Sequence, residues 1–328
     1  MNSFMTRALG AAAAIALLAA CGETGSAPQV EGTGVDTAQP VAQIPTGQLP
    51  EGVTPTAYRL DLRTDPSADT FSGKAEIDVT LDQAQSAIYL HALGQTFSKI
   101  EARLSDGTLL TGSAEQDLAD GGVTRISFEE SLPAGQLTLL MDYSAPYNLG
   151  LAGLYKATQG GEDYLATQME PIDARRAFPS FDEPRFKTPW TVTVTAPVGN
   201  QVIANGAEID TEKLEDGWVR HGFATTRPIQ SYLVALAVGP YEVFENTPIL
   251  ENSVRSAPVP LRSFAAIGKG GQLETSHDAT FEMLRIQEDY FNYPYPYGKL
   301  DLIAAPDFAY GAMENAGAII YRESALLI

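Results

Sequence analysis

The sequence predicts a mainly β protein: an N-terminal antiparallel β-sandwich or saddle domain over residues 51–245, followed by the start of an α+β domain over residues 246–328. Three observations predict it. Apolar and polar residues alternate at a period of two in several short runs between Tyr58 and Val194. Asp-Gly and Asn-Gly pairs punctuate those runs, as turns between paired strands do. One segment alone, Leu273 to Phe291, has the period of a long helix, and it falls late in the chain. With 328 residues, of which 44% are apolar and 19% charged, the chain can bury two cores.

The first fifty residues precede this pattern. Arg7 closes a short positive segment, and Ala8 to Ala19 is apolar but too short to span a bilayer comfortably. It leads into Leu18-Ala19-Ala20-Cys21-Gly22, a small-residue approach to a cysteine that resembles the bacterial lipoprotein signal. The resemblance implies a signal peptide over residues 1–21, a lipid on Cys21, and a membrane anchor facing the periplasm. Gly22 in place of an aspartate favours the outer membrane. An ordinary secretory signal with an incidental cysteine is the alternative. Residues 22–50 are rich in Gly, Thr, Pro, Gln and Ala and read as a flexible tether, with too little apolar surface to offset the entropy of ordering.

From Tyr58 the strands begin. Tyr58, Leu60 and Leu62 alternate with Arg59, Asp61 and Arg63, and Ala75, Ile77, Val79 and Leu81 alternate with Glu76, Asp78 and Thr80. Leu137, Leu139, Met141 and Tyr143 repeat the pattern, as do Trp190, Val192 and Val194 against Thr191, Thr193 and Thr195. Each set puts one apolar face on a core. Asp106-Gly107, Asp120-Gly121-Gly122, Asn205-Gly206 and Asp216-Gly217 supply the turns. Tyr232 to Val238 is nearly all apolar and reads as the last buried strand, with the domain boundary near Glu245.

In the second domain Leu273 to Phe291 carries two apolar stripes, Met283, Ile286 and Tyr290 beside Phe281, Leu284 and Phe291, which predict a broad buried face. Thr275 or Ser276 can cap its start, and Pro294 stops it after Tyr293. Leu300 to Ala305 and Ala316 to Tyr321 read as strands.

Composition closes several options. A formal net charge of -20 argues against nucleic acid as a partner, because phosphate contacts need clustered Lys and Arg. Cys21 is the single cysteine, so the mature domain has no internal disulfide, thiolate zinc site or cysteine nucleophile. His91, His221 and His277 have no metal-ligand spacing and read as surface or structural residues, and no Gly-x-Ser-x-Gly occurs.

Two stretches stand apart from the periodic pattern. Thr167 to Lys187, TQMEPIDARRAFPSFDEPRFK, is dense in ions, aromatics and prolines, and reads as a cross-brace in which Arg175 or Arg176 pairs with Asp182 or Glu183. Gly311-Ala312-Met313-Glu314-Asn315 sets small residues and a carboxylate before the apolar run Ala318 to Tyr321. Small residues admit a second backbone, and a neighbouring strand edge can pair with an extended peptide. A carboxylate at the end of such a groove could hold a terminal ammonium; a glycine turn entering a buried strand is the plainer reading.

Together with Pro306-Asp307-Phe308 and Tyr321-Arg322-Glu323, these stretches resemble the aminopeptidase N family of zinc metallopeptidases, over about Tyr58 to Ile328. The resemblance implies that the second domain is the start of a thermolysin-like catalytic domain. It implies that Glu314 binds the substrate α-ammonium, that Glu170 is its partner from the β domain, and that Gln168 lines the pocket for the first side chain. Gly311 and Ala312 would offer backbone groups to the peptide, with Met313 and Asn315 completing the motif. An α-amine with a pKa near 7.7–8 is mostly charged at neutral pH and suits an anionic groove end.

The family holds zinc on a His-Glu-x-x-His helix and a further Glu. No such motif occurs among these residues. The expectation is an amino-terminal part of a longer zinc-dependent aminopeptidase, binding no zinc itself and acting on peptides with a free N-terminus. A non-catalytic lipoprotein that binds free peptide N-termini, and a purely structural β adaptor, are the alternatives.

Overall fold

A computed structural model describes residues 44–328. Cys21, the signal segment and most of the expected tether lie outside the described residues. The tether stops short of Pro50: Leu49 is buried, and its carbonyl accepts from Arg185 Nη2 at 2.8 Å.

In chain order the strands of the first part are β1 (Val53–Arg63), β2 (Thr70–Leu81), β3 (Gln85–His91), β4 (Thr96–Leu104), β5 (Leu109–Glu115), β6 (Val123–Leu132), β7 (Gly135–Pro146), β8 (Gly153–Gln159) and β9 (Glu162–Gln168). A single helical turn, α1 (Ala174–Ala177), precedes β10 (Trp190–Pro197), β11 (Gln201–Ala204), β12 (Glu208–Lys213), β13 (Trp218–Phe223) and β14 (Leu236–Gly239). The last part has β15 (Glu242–Glu245), β16 (Leu261–Ala265), α2 (Glu274–Phe291), β17 (Leu300–Ala305), β18 (Ala312–Met313), β19 (Ala318–Arg322) and α3 (Glu323–Leu326).

These strands form three sheets. The ten-stranded one runs β12-β13-β10-β1-β2-β7-β4-β5-β6-β3, the four-stranded one β11-β14-β9-β8, and the five-stranded one β15-β16-β17-β19-β18. The large sheet is antiparallel except where β1 and β10 run parallel. That pair sets Tyr58 against Trp190, whose rings stack 3.9 Å apart, so β10 joins the first strand of the chain across a long separation. Strand β5 changes partner along its length, from β4 at Leu109–Thr111 to β6 from Gly112 onward. Ile88 and Ile126 beyond that switch share one core with Ile77 and Leu139 before it, so the sheet folds over on itself.

The small sheet explains the apolar run near Tyr232. Its strands are buried on both faces. Val202, Leu165, Leu236 and Val238 join the core of the large sheet, while Ile203, Tyr164, Ala166 and Ala237 point the other way, into a second core with Phe264, Ile303, Met313 and Ile320 of the five-stranded sheet. A strand between two sheets needs apolar residues at every position, which erases the period-two signature. The run is accordingly shorter as a strand than its composition suggests: Ser231–Leu233 is a 3-10 turn and β14 starts at Leu236.

The third sheet is mixed, with β16, β17 and β19 parallel and α2 connecting β16 to β17. Its far face, Leu261, Leu300, Leu302 and Ala304, packs with Leu273 and Leu284. The change of sheet falls between β14 and β15, ahead of Glu245, because Glu242–Glu245 pairs with β16.

Helix α2 departs from expectation at three points. It runs on from a 3-10 turn at Gly270–Gln272, so neither Thr275 nor Ser276 caps its start, and Ser276 Oγ donates to Leu273 O instead. It ends at Phe291 because Asn292 adopts a left-handed conformation, φ 47°, before Pro294 can act. Its buried face is narrow: Met283, Ile286, Tyr290 and Phe291 are 61%, 51%, 81% and 69% exposed.

Candidate functional site

The irregular block after β9 is held by Arg175. Its Nε sits 2.8 Å from Asp182 Oδ2, its Nη2 donates to Asp182 O at 2.9 Å, and both side chains are buried. Arg175 Nη1 also donates to the Gly121 carbonyl, and Gln95 Nε2 donates to Arg175 O at 2.8 Å. Phe181 N donates to Tyr58 Oη at 2.9 Å, and Tyr143 Oη donates to Ala177 O at 2.9 Å. The block is therefore bolted to the core of the large sheet by side chains, in place of a strand ladder. The expected Arg175–Asp182 pairing is present, while Arg176 pairs with Asp173 and Glu183 with Arg185. Glu170, exposed and joined to Pro171 by a cis peptide bond, stands outside these pairs.

The second stretch forms a hairpin. Ala312 and Met313 make β18, paired with Tyr321 and Ile320 of β19, and Glu314 to Gly317 connect the two strands. The loop ahead of β18 is anchored by Arg322, whose Nε donates to Phe308 O at 3.0 Å and Nη2 to Ala309 O at 2.6 Å; its backbone N–H donates to Gly311 O. As the last strand of its sheet, β18 has an outer edge with no strand partner among the described residues. Gly311, Ala312 and Glu314 are exposed, while Met313 and Asn315 are buried.

The two stretches meet. Gln168, the last residue of β9, has its Nε2 4.0 Å from Met313 Sδ. Glu170 follows Gln168 by two positions, Glu314 follows Met313 directly, and both carboxylates are exposed. Gln168 Oε1 and Asn315 Oδ1 are buried acceptors without a partner among the described residues. This contact joins the two stretches that hold the seven residues singled out as substrate-binding in the sequence.

The histidines lie elsewhere and are occupied. His91, buried at the end of β3, accepts from Asp182 N at Nδ1, 3.3 Å away; burial, reinforced by the nearby Arg175 charge, lowers its pKa to about 3. His277 Nδ1 lies 2.8 Å from Ser263 Oγ, and burial likewise lowers its pKa. His221 pairs with Glu208. Among the described residues no group of three or more His, Cys, Asp or Glu side chains converges as a metal site.

Sequence reasoning missed two residues under the hairpin. Asn205, expected only as part of a turn, and Lys299, in a stretch without period, both bond across from the small sheet to the third one. A lone polar residue carries no mark of such a contact in sequence.

The profile of the Peptidase M1 N-terminal domain matches residues 54–233, and that of the Peptidase family M1 domain matches residues 275–328. Mouse endoplasmic reticulum aminopeptidase 1 is 33% identical over 288 residues, covering 85% of this chain and 30% of that protein. Rice aminopeptidase M1-B is 33% identical over 285 residues, and aminopeptidase A of Gloydius brevicauda 32% over 286, each covering 85% of this chain. The chain spans about 30% of the length of these relatives. By its β domain, its hairpin and these matches, the chain belongs to peptidase family M1.

Proposed function

We propose that this chain is the β domain and substrate-binding edge of a zinc-dependent aminopeptidase, an enzyme that removes N-terminal amino acids from peptides. The observation that supports this most is the contact of Gln168 with Met313, which joins the two stretches that carry the exposed Glu170 and Glu314, beside the open edge of β18. The names of the relatives agree with it.

The roles follow from chemistry. An extended peptide pairs with the outer edge of β18, where Gly311 and Ala312 leave room for its backbone. Glu314 takes the α-ammonium and Glu170 is the second anion beside it. A single carboxylate about 4 Å away attracts an ammonium by roughly 4 kcal/mol before desolvation, at an effective dielectric of 20. A chain-internal peptide segment brings no cation and leaves both anions uncompensated, which favours free N-termini. Gln168 borders the first side chain, with Met313 and Asn315 beneath. In this reading the described residues hold the substrate, and the zinc would be bound outside residues 44–328.

Glu314→Gln tests the anchor. A tripeptide with a free N-terminus is expected to bind the parent chain at least about tenfold more tightly than its acetylated form, a difference of about 1.4 kcal/mol that the variant removes. Equal binding of the two peptides by the parent chain rejects the reading. The gene beyond codon 328 separates enzyme from binding protein: a His-Glu-x-x-His shortly downstream supports the peptidase, and a stop codon leaves peptide-end binding alone.

For location, we propose a lipid on Cys21 that anchors the protein in the cell envelope, on the periplasmic side and in the outer membrane. The signal-like run ending at Cys21 supports it. Expressed in a bacterial host, the protein is expected in the detergent phase on phase partitioning, and Cys21→Ser is expected to move it to the aqueous phase. An unmoved variant rejects the anchor.

A further inference from the structure

Between the two halves of this amine clamp runs a short series of hydrogen bonds that the roles above do not use. Its centre is Asn205, just past the end of β11 and only 5% exposed. The side-chain amide reaches three backbone groups on two other segments. Oδ1 accepts from Ala235 N at 2.8 Å, and Nδ2 donates to Leu233 O and to Ala316 O, both at 2.9 Å. Both amide hydrogens and one lone pair are thus in use.

Each end of the series leads to one carboxylate. Ala316 lies two residues after Glu314 and is itself buried in the core of the β domain. In the other direction Leu236 N, next to Ala235, donates to Thr167 Oγ1 at 3.0 Å, and Thr167 lies three residues before Glu170. Thr167 and the hairpin are therefore joined through Leu236, Ala235 and Asn205 by three side-chain hydrogen bonds.

A second tie runs parallel to the first. Lys299 Nζ donates to Ala204 O and to Asp301 Oδ2, both at 2.6 Å, and Asp301 N donates to Gly317 O at 3.1 Å. Gly317 has φ +74°, and a Cβ there would stand 2.6 Å from Asn205 O. The hairpin thus meets the small sheet backbone to backbone, at a point that admits no side chain.

We propose that Asn205 is a positioning residue of the clamp: it fixes the distance between Glu170 and Glu314 by tying the hairpin to the sheet that carries Gln168. This rests on the reading of the two carboxylates as a clamp. The attraction of two anions for one ammonium falls with each distance, so both contribute only while the spacing holds. A buried backbone carbonyl that loses its donor gains no replacement from solvent, so truncating Asn205 frees the hairpin where Ala316 is held.

The test measures coupling rather than stability. Binding of Ala-Ala-Ala and of its N-acetylated form to the full chain is followed by titration calorimetry, for the parent, Asn205→Ala, Glu170→Gln and the double variant. In the parent, Glu170→Gln is expected to weaken the free-amine peptide by about tenfold. In the Asn205→Ala background the free-amine peptide is already weakened by about the same factor, and adding Glu170→Gln changes nothing more, while the acetylated peptide binds all four proteins alike. If Glu170→Gln has its full effect in both backgrounds, Asn205 does not position the clamp. If the parent binds both peptides equally, the clamp itself is wrong, and the positioning role falls with it. Should Asn205→Ala fail to fold, Thr167→Val, which removes the acceptor for Leu236 N but keeps the β9–β14 pairing, carries the same prediction.

Discussion

His91 shows what burial does to a single group. It sits at the end of β3 against the Arg175–Asp182 pair, accepting one backbone N–H, so a proton on its ring would be both desolvated and repelled by Arg175. The folded pKa of about 3 lies below the ordinary 6.5. Between those values the unfolded chain binds the proton and the folded one does not. Stability is therefore complete above about pH 6.5 and is lost as pH falls toward 3, at about 1.4 kcal/mol per pH unit for one such group. His277, lowered by burial in the same way, acts in the same direction. Urea midpoints measured from pH 7 to 4.5 are expected to fall, and His91→Asn, whose Oδ1 can still accept from Asp182 N, is expected to lessen the slope. An unchanged slope would place the titration elsewhere. That the three histidines lack metal-ligand spacing was legible in the sequence; that His91 is held neutral against an arginine was not, because Arg175 lies 84 positions away.

Among the elements, α2 departs most from its own pattern. Its buried stripe is His277, Leu284 and Glu288 with the half-buried Phe281, successive turns of one line, whereas the apolar line Met283, Ile286 and Tyr290 faces outward. Glu288 is accepted into the stripe because Arg255 Nε at 2.8 Å, Asn252 Nδ2 at 2.6 Å and Tyr295 N at 2.7 Å surround its carboxylate. Periodicity ranks residues by hydrophobicity and passes over such a buried ion. The expected consequence is measurable by urea denaturation of this chain. Ile286→Gln should cost no more than about 0.5 kcal/mol, as exposed substitutions do. Leu284→Ala should cost about 2–4 kcal/mol. A large loss at Ile286 would mean that the helix packs by the other face.

At the scale of the molecule, residues 44–328 form stacked layers: the folded-over large sheet, the small sheet buried on both faces, the mixed sheet, and α2 on its far side. The candidate site lies where the second layer meets the third, since β9 ends at Gln168 and β18 begins one residue after Gly311. This is why the Glu314 and Asn205 variants are informative as a pair. Glu314 tests the surface of that junction and Asn205 its interior. Neither could be located by an element considered alone, because each partner of the junction comes from a different sheet.

By itself the sequence determined the strands with one wet face, the turns between them, the single long helix, and the two aperiodic stretches that carry the candidate site. Local signals suffice there, since alternation and turn chemistry are properties of neighbours in the chain. Only the tertiary structure decided that β1 and β10 pair in parallel, that the small sheet is buried on both faces, that α2 turns the apolar line of Met283, Ile286 and Tyr290 outward, and that Gln168 touches Met313. Those outcomes depend on contacts between residues far apart in sequence, where burial on a second face or a bond to a distant backbone group overrides what neighbouring residues prefer.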